Sequence, residues 1–179
     1  MKLSSVFLII FMLIGINACG IIDSDKVFQV TTVTSSFKPL KKKFEKASDE
    51  LMALQQEKNI FSDEELYTLI QGQESIDYVL NRLSAIEASP DSWVTISELE
   101  FLWNRVVDGY NSMRKVIVDK WDELPTTMKL NLVALDEQAK NYSNAMEPLL
   151  HSDDTKDVDK IFTVFKSVIS LAIKLMGAL

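Results

Sequence analysis

The chain has 179 residues, of which 47% are hydrophobic and 25% are charged, so it is long enough to bury one core and too short for two comfortable domains. Its formal net charge of −7 argues against nucleic-acid binding, because proteins that bind nucleic acid neutralise phosphates with an excess of Lys and Arg. One His, one Cys and five Gly leave few ligands for a metal centre and few glycines for a phosphate-binding loop.

The first twenty residues have the pattern of an export signal. Lys2 precedes an apolar run over residues 6–16, which suits the apolar core of a signal peptide, about 7–15 residues, and is too short for a membrane-spanning helix of about 20. The signal of bacterial lipoproteins ends in an aliphatic residue, two small residues and a cysteine. Ile16, Ala18 and Cys19 match three of these four positions, and Gly20 follows them. Residues 1–20 therefore resemble a lipoprotein signal.

This resemblance implies that the leader over residues 1–18 is removed and that Cys19 is acylated on its sulfur and on its new amino group. The acyl lipid would be the one covalent cofactor. Lipoproteins retained in the inner membrane typically carry Asp after the cysteine, so Gly20 implies the outer membrane, with the periplasmic face expected and the cell surface left open. Cleavage by the ordinary signal peptidase is the competing interpretation, and the large side chain of Ile16 disfavours it. A lone exposed thiol would also be an oxidation liability in an exported protein.

Residues 19–36 are predicted to form a flexible, lipidated tether in front of a domain over residues 37–179. Val and Thr dominate residues 27–34, and this composition is poor for a helix. The segment is expected to hold the domain away from the bilayer, at about 3.3 Å for each extended residue. A short extended segment that packs on the domain is the alternative.

The first three helices are predicted from apolar periodicity and from capping residues. Ser62 and Glu65 have the spacing of a capping box at the start of the second helix, and Thr95 and Glu98 have it at the start of the third. The third helix is apolar over most of its circumference, which predicts a central position. In the first helix, apolar residues recur three or four positions apart: Phe37, Leu40, Phe44, Ala47, Leu51 and Leu54.

Two further helices complete the prediction. Pro125 separates the third helix from the fourth, which Thr126 or Thr127 would cap and Pro148 would end near its last turn. The fifth helix is expected from about residue 156 to the end of the chain. Short connections between long helices imply antiparallel neighbours. The predicted fold is therefore all-α, an up-and-down bundle of four to five antiparallel helices behind a flexible N-terminal tether.

Two glycines lie in the middle of predicted helices. Gly72 in the second helix and Gly109 in the third each cost about 1 kcal/mol relative to Ala in a helix interior. A close crossing of the two helices would explain both glycines. A groove for a ligand is the less favoured alternative.

Two surfaces could contact a membrane or a partner. Most of residues 161–179 are apolar, and a spanning helix is disfavoured because lysines are costly at a bilayer centre. Docking on the bundle is favoured over membrane or partner contact, because the polar residues form one stripe: Lys160, Thr163, Ser167, Ser170 and Lys174. A solvated helix face is likewise favoured over contact with anionic headgroups for the basic residues of the first helix, Lys38, Lys41, Lys42, Lys43 and Lys46.

No residues present a catalytic or metal-binding pattern. His151 is the only histidine, and Glu98 and Glu100 have the spacing of a solvated helix face rather than of an acid–base pair. Three acids and a Thr at alternate positions near the fifth helix resemble the start of a calcium loop but lack its glycine. Helix capping is therefore the favoured interpretation for this group: Asp153, Thr155, Asp157 and Asp159.

The sequence thus predicts a non-enzymatic adaptor or scaffold of the cell envelope that is anchored in the membrane by lipid and binds a protein partner. In fold class and anchor it resembles the small helical lipoproteins that support envelope machines, such as secretion pilotins. The alternative is a membrane-active lipoprotein of the exclusion or immunity type that uses its apolar C-terminal helix. An enzyme is the third hypothesis, and self-association stays open.

Overall fold

Five helices and two short strands make up the described part of the chain, which in this computed structural model is residues 27–30, 36–89, 92–151 and 157–178. The elements are β1 (Val27–Val30), α1 (Lys38–Lys58), α2 (Asp63–Ala88), β2 (Ser92–Thr95), α3 (Ile96–Asp119), α4 (Thr126–Leu150) and α5 (Asp157–Met176), with one 3-10 turn at Trp121–Glu123. The predicted all-α bundle is confirmed.

The capping signals at the starts of α2 and α3 have different outcomes. Ser62 Oγ accepts the N–H of Glu65 at 3.3 Å, and the Glu65 carboxylate accepts the N–H of Ser62 at 2.7 Å, so the predicted capping box is complete. The second bond holds the pKa of Glu65 below its usual value. Thr95 accepts the N–H of Glu98 at 3.1 Å, but the Glu98 carboxylate pairs with Arg82 at 2.5 Å. The second box is therefore only half formed, because Arg82 of α2 competes for the carboxylate.

The predicted boundaries of α4 need correction. Pro125 occupies the N-cap position and no side chain caps the helix, so neither Thr126 nor Thr127 has the predicted role. Pro148 lies inside the last turn, which continues to Leu150. A proline removes one backbone donor there, which the final turn of a long helix tolerates.

Four of the helices form a ring around the core. α1 packs on α2, α2 on α3, α3 on α5, and α5 on α1, while α4 lies outside the ring against α5 and α3. The apolar side of α5 fills the centre with buried side chains, namely Val158, Ile161, Phe162, Val164, Phe165, Val168, Ile169, Leu171, Ala172, Leu175 and Met176.

The opposite side of α5 is the polar stripe. Its hydroxyl groups donate to carbonyls one turn earlier in the helix, as Thr163 does to Asp159 at 2.8 Å and Ser167 does to Thr163 at 2.9 Å. The prediction that this helix docks on the bundle is confirmed. Among the described residues, no helix is both long and apolar enough to cross a bilayer.

The two mid-helix glycines mark the place where α2 and α3 cross. A Cβ atom built on Gly72 would lie 2.8 Å from the carbonyl oxygen of Gly109, and one built on Gly109 would lie 2.7 Å from the carbonyl oxygen of Gly72. Each glycine therefore removes the side chain that would push the two backbones apart. The predicted close crossing is confirmed, and backbone rather than an open groove faces each glycine.

The predicted tether is wrong at Val27–Val30, where the chain forms β1 and pairs antiparallel with β2. Val27 is opposite Thr95 and Val30 is opposite Ser92. Val30 and Val94 are buried beneath the resulting two-stranded ribbon. The alternative of an extended segment packed on the domain is what these residues adopt, because β-branched side chains suit a half-buried strand and β2 supplies the backbone hydrogen bonds.

Candidate functional site

The residues predicted to carry the lipid and its sorting signal, Ile16, Ala18, Cys19 and Gly20, lie outside the described residues, as do Asp153 and Thr155 of the calcium-like pattern. Within the described ranges, no group of three His, Cys, Asp or Glu side chains could hold a metal ion. The candidate site therefore has to be sought on the surfaces of the bundle.

One exposed cluster stands out on the outer side of the α2–α3 pair. It consists of Tyr78 on α2 and of Phe101 and Arg105 on α3, and we call it the aromatic–arginine surface. The rings of Tyr78 and Phe101 meet edge to face, with centroids 6.1 Å apart and planes at 86°. The guanidinium carbon of Arg105 lies 4.5 Å from the centroid of Tyr78 and 5.8 Å from that of Phe101.

The fold brings these three side chains together through the glycine crossing. Because Gly72 and Gly109 let the backbones of α2 and α3 touch, Tyr78 reaches across to the neighbouring helix. Phe101 and Arg105 are four positions apart and so share one face of α3. Cation–π and edge-to-face contacts limit the motion of the side chains, so less conformational entropy is lost when a partner binds.

The exposure of this cluster is what suggests binding. Tyr78 is 44% exposed and Phe101 is 49% exposed, although large aromatic side chains gain free energy by burial. Tyr and Arg are also among the residues that contribute most to protein–protein binding energy. An exposed cluster of this composition is typical of a contact surface rather than of a catalytic centre.

Acidic side chains lie on the same helix faces. Glu74 precedes Tyr78 by one turn of α2, and Asp108 follows Arg105 by one turn of α3, and both acids are exposed. The sequence around this surface is acidic as a whole, with ten acids and two Arg over residues 59–108. A partner with basic residues around an apolar anchor would complement it.

Sequence reasoning missed this surface. The largely apolar circumference of the third helix did not single out Phe101, and its cross-helix contact to Tyr78 depends on tertiary packing. The sequence did carry one signal. Asn104 and Asp108 lie three and seven residues after Phe101, so the aromatic residue shares a helix face with polar residues. Such a residue is expected to be exposed, and an exposed Phe is a candidate contact residue.

A second cluster joins α3 to α4 and is partly buried, with Arg114 buried and Asp136 half-buried. Arg114 donates from Nε and Nη2 to the two carboxylate oxygens of Asp136, each at 2.5 Å, and the hydroxyl of Tyr110 lies 3.5 Å from the same carboxylate. Burial raises the pKa of Tyr110 above its usual value, so its hydroxyl stays protonated. Because the carboxylate of Asp136 already accepts hydrogen bonds from Arg114 and Tyr110, this cluster holds α4 against α3 rather than binding a ligand.

The basic residues of α1 lie beside a cleft of about 650 Å³ between α1 and α2. Lys38, Lys41 and Lys42 line it together with Glu45 and Glu87. Lys41 donates to Asn81 and also lies 3.8 Å from Glu45. Carboxylates thus share the cleft with the lysines, which fits the predicted solvated face better than a dedicated anion site.

The features described so far are the exposed aromatic–arginine surface, a partly buried ion pair between α3 and α4, and a cleft of mixed charge between α1 and α2. Of these, the aromatic–arginine surface is the candidate functional site. Comparison with protein families, with curated proteins and with solved structures finds no match for this chain.

Proposed function

We propose that this protein is an outer-membrane lipoprotein of the periplasmic face whose helical bundle is a non-enzymatic adaptor for an envelope protein. The observation that carries the proposal is the exposed cluster of Tyr78, Phe101 and Arg105 where α2 and α3 cross closely. Its acidic neighbours favour a partner that places basic residues around an apolar side chain.

The anchor in this proposal is Cys19, acylated after removal of residues 1–18. Its support is the lipoprotein-like pattern of residues 1–20 and the absence of any second cysteine from the sequence. Each buried CH₂ of an acyl chain contributes about 0.8 kcal/mol, so several chains on one residue make a stable anchor. Gly20 supports the outer membrane as the destination.

The membrane-active alternative is less favoured, because the C-terminal helix packs its apolar side into the bundle. It required the apolar side of the C-terminal helix to face lipid, and that side of α5 lies in the core. The adaptor proposal requires no change in the fold, since the aromatic–arginine surface is already exposed.

The test is capture of the tagged, lipidated protein from crosslinked envelopes, with mass spectrometry of the captured material and of the N-terminal peptide of the bait. The variant is Phe101→Ala with Arg105→Ala. The matched control is Leu130→Ala with Val133→Ala, which removes two exposed apolar side chains from α4. We expect a stoichiometric companion protein with the wild type and with the control, and its loss with the variant, because hot-spot truncations cost about 2 kcal/mol or more each.

Two results would contradict the proposal. A companion that stays with the Phe101 and Arg105 variant would place the binding surface elsewhere. An N-terminal peptide that carries no acyl chains on Cys19 would remove the anchor, whatever the companion does.

A further inference from the structure

The β1–β2 ribbon has an apolar outward face as well as a buried one. Successive residues of a strand point to opposite faces, so Val30 and Val94 face the core while Val27 and Trp93 face outward. Trp93 is 61% exposed and Val27 is 43% exposed. Neither is part of the aromatic–arginine surface as defined above, so the adaptor function does not account for them.

The ribbon lies at one end of the bundle. Its strand β2 lies between the end of α2 and the start of α3. The first helix, α1, also begins there, because the N–H of Phe37 donates to Glu87 in the last turn of α2 at 2.9 Å. Lys38 and Lys42, in the first two turns of α1, are exposed at this end. Trp121 and the start of α2 lie at the opposite end, since α2 and α3 are antiparallel.

Chain length limits how far this end can be from an acylated Cys19. Seven residues, 20–26, separate Cys19 from β1. Eight residue steps span at most about 26 Å when fully extended, at 3.3 Å each. The 26 residues of α2 alone are about 39 Å long at 1.5 Å per residue. With Cys19 acylated, the ribbon end would lie within about 26 Å of the bilayer, whereas the other end of an upright bundle would lie beyond the reach of the linker.

We propose that the outward face of the ribbon, Trp93 with Val27, docks on the lipid surface and sets the bundle upright on the membrane. This inference rests on the proposed acylation of Cys19. Tryptophan favours the boundary between headgroups and acyl chains, where its ring is apolar and its N–H stays hydrated. Lys38 and Lys42 lie at the same end but share their cleft with Glu45 and Glu87, so the docking depends on the apolar face of the ribbon and not on these lysines.

This orientation leaves the aromatic–arginine surface accessible. Phe101 lies five residues into α3, about 8 Å from its start, and Tyr78 lies ten residues before the end of α2, about 15 Å from it. The surface would then face sideways, just above the headgroups, toward a partner at the same membrane.

The test is quenching of native tryptophan fluorescence by brominated lipids in vesicles of phosphatidylethanolamine and phosphatidylglycerol that carry the full-length lipidated protein. Trp93→Phe removes the emission of the ribbon and keeps an apolar ring. Trp121→Phe is the matched control, because it removes a half-buried tryptophan at the opposite end of the bundle. Quenching is expected with the wild type and with Trp121→Phe, at a depth of about 5–10 Å below the headgroup boundary, and is expected to disappear with Trp93→Phe.

The outcomes separate this inference from the proposed function. If the protein carries its acyl chains and binds the vesicles, but bromine quenches neither wild type nor control, the ribbon does not touch lipid and the docking is wrong while the adaptor proposal stands. Equal quenching with and without Trp93 also overturns the docking. If mass spectrometry finds no acyl chains on Cys19, the anchor fails and this inference fails with it.

Discussion

Replacing Phe165 by Ala is expected to lower the free energy of unfolding by about 3–5 kcal/mol, the range for removal of a buried aromatic side chain. Phe165 is fully buried on α5, and its ring meets Trp103 of α3 edge to face with centroids 5.6 Å apart. The substitution leaves a cavity between α3 and α5, at the centre of the four-helix ring. Urea unfolding followed by circular dichroism measures the change.

Thr163→Ala is the control for this substitution. Thr163 lies two residues away on the exposed stripe of α5, and its hydroxyl group donates to the carbonyl of Asp159 within the same helix. Its change should stay within about 0.5 kcal/mol. A Phe165→Ala protein as stable as the wild type would contradict the core position of α5. The apolar side of this helix would then be available for contact with lipid.

Replacing Gly109 by Ala is expected to destabilise the protein by about 1–3 kcal/mol, although Ala is favoured over Gly by about 1 kcal/mol in a helix. The new methyl group would lie 2.7 Å from the carbonyl oxygen of Gly72 and 2.8 Å from Cγ1 of Ile76. Backbone cannot move aside as a flexible side chain can, so α2 and α3 must separate. Thermal unfolding should show a fall of about 2–4 °C for each kcal/mol lost in a domain of this size.

Gly177→Ala provides the matched comparison. The nearest atom to a Cβ at Gly177 is 3.6 Å away, an ordinary contact, so this substitution should be close to neutral. If both glycine variants unfold at the same temperature as the wild type, the two helices do not cross as closely as described. The separation of α2 and α3 should also loosen the aromatic–arginine surface, since Tyr78 and Phe101 meet across this crossing.

The helices could be predicted because each one depends on local signals. The apolar spacing that starts at Phe37 and the capping box of Ser62 and Glu65 lie within single segments, and a helix forms from contacts three and four residues apart. Gly72 and Gly109 indicated the crossing because glycine destabilises a helix interior relative to Ala. Its presence there is explained when a neighbouring backbone occupies the place of the side chain.

The remaining features depend on residues far apart in the chain. β1 is only four residues long, and its partner β2 begins 62 residues after it ends, so the Val- and Thr-rich composition alone could not decide between a strand and a linker. The side chain of Glu98 fits a capping box by spacing, yet Arg82 of the preceding helix takes it. The aromatic–arginine surface likewise exists only where two helices meet, and the sequence carries one weak sign of it in Phe101.

We expect a protein partner to contact the aromatic–arginine surface. A photocrosslinking amino acid at Phe101, in the lipidated protein within intact envelopes, tests it directly, with the same amino acid at Leu130 of α4 as the control. Both positions are exposed, so each can accept the probe without disturbing the core. We expect one discrete protein adduct from position 101 and none of that mass from position 130. Adducts to lipid alone at position 101, or the same adduct from both positions, would contradict it.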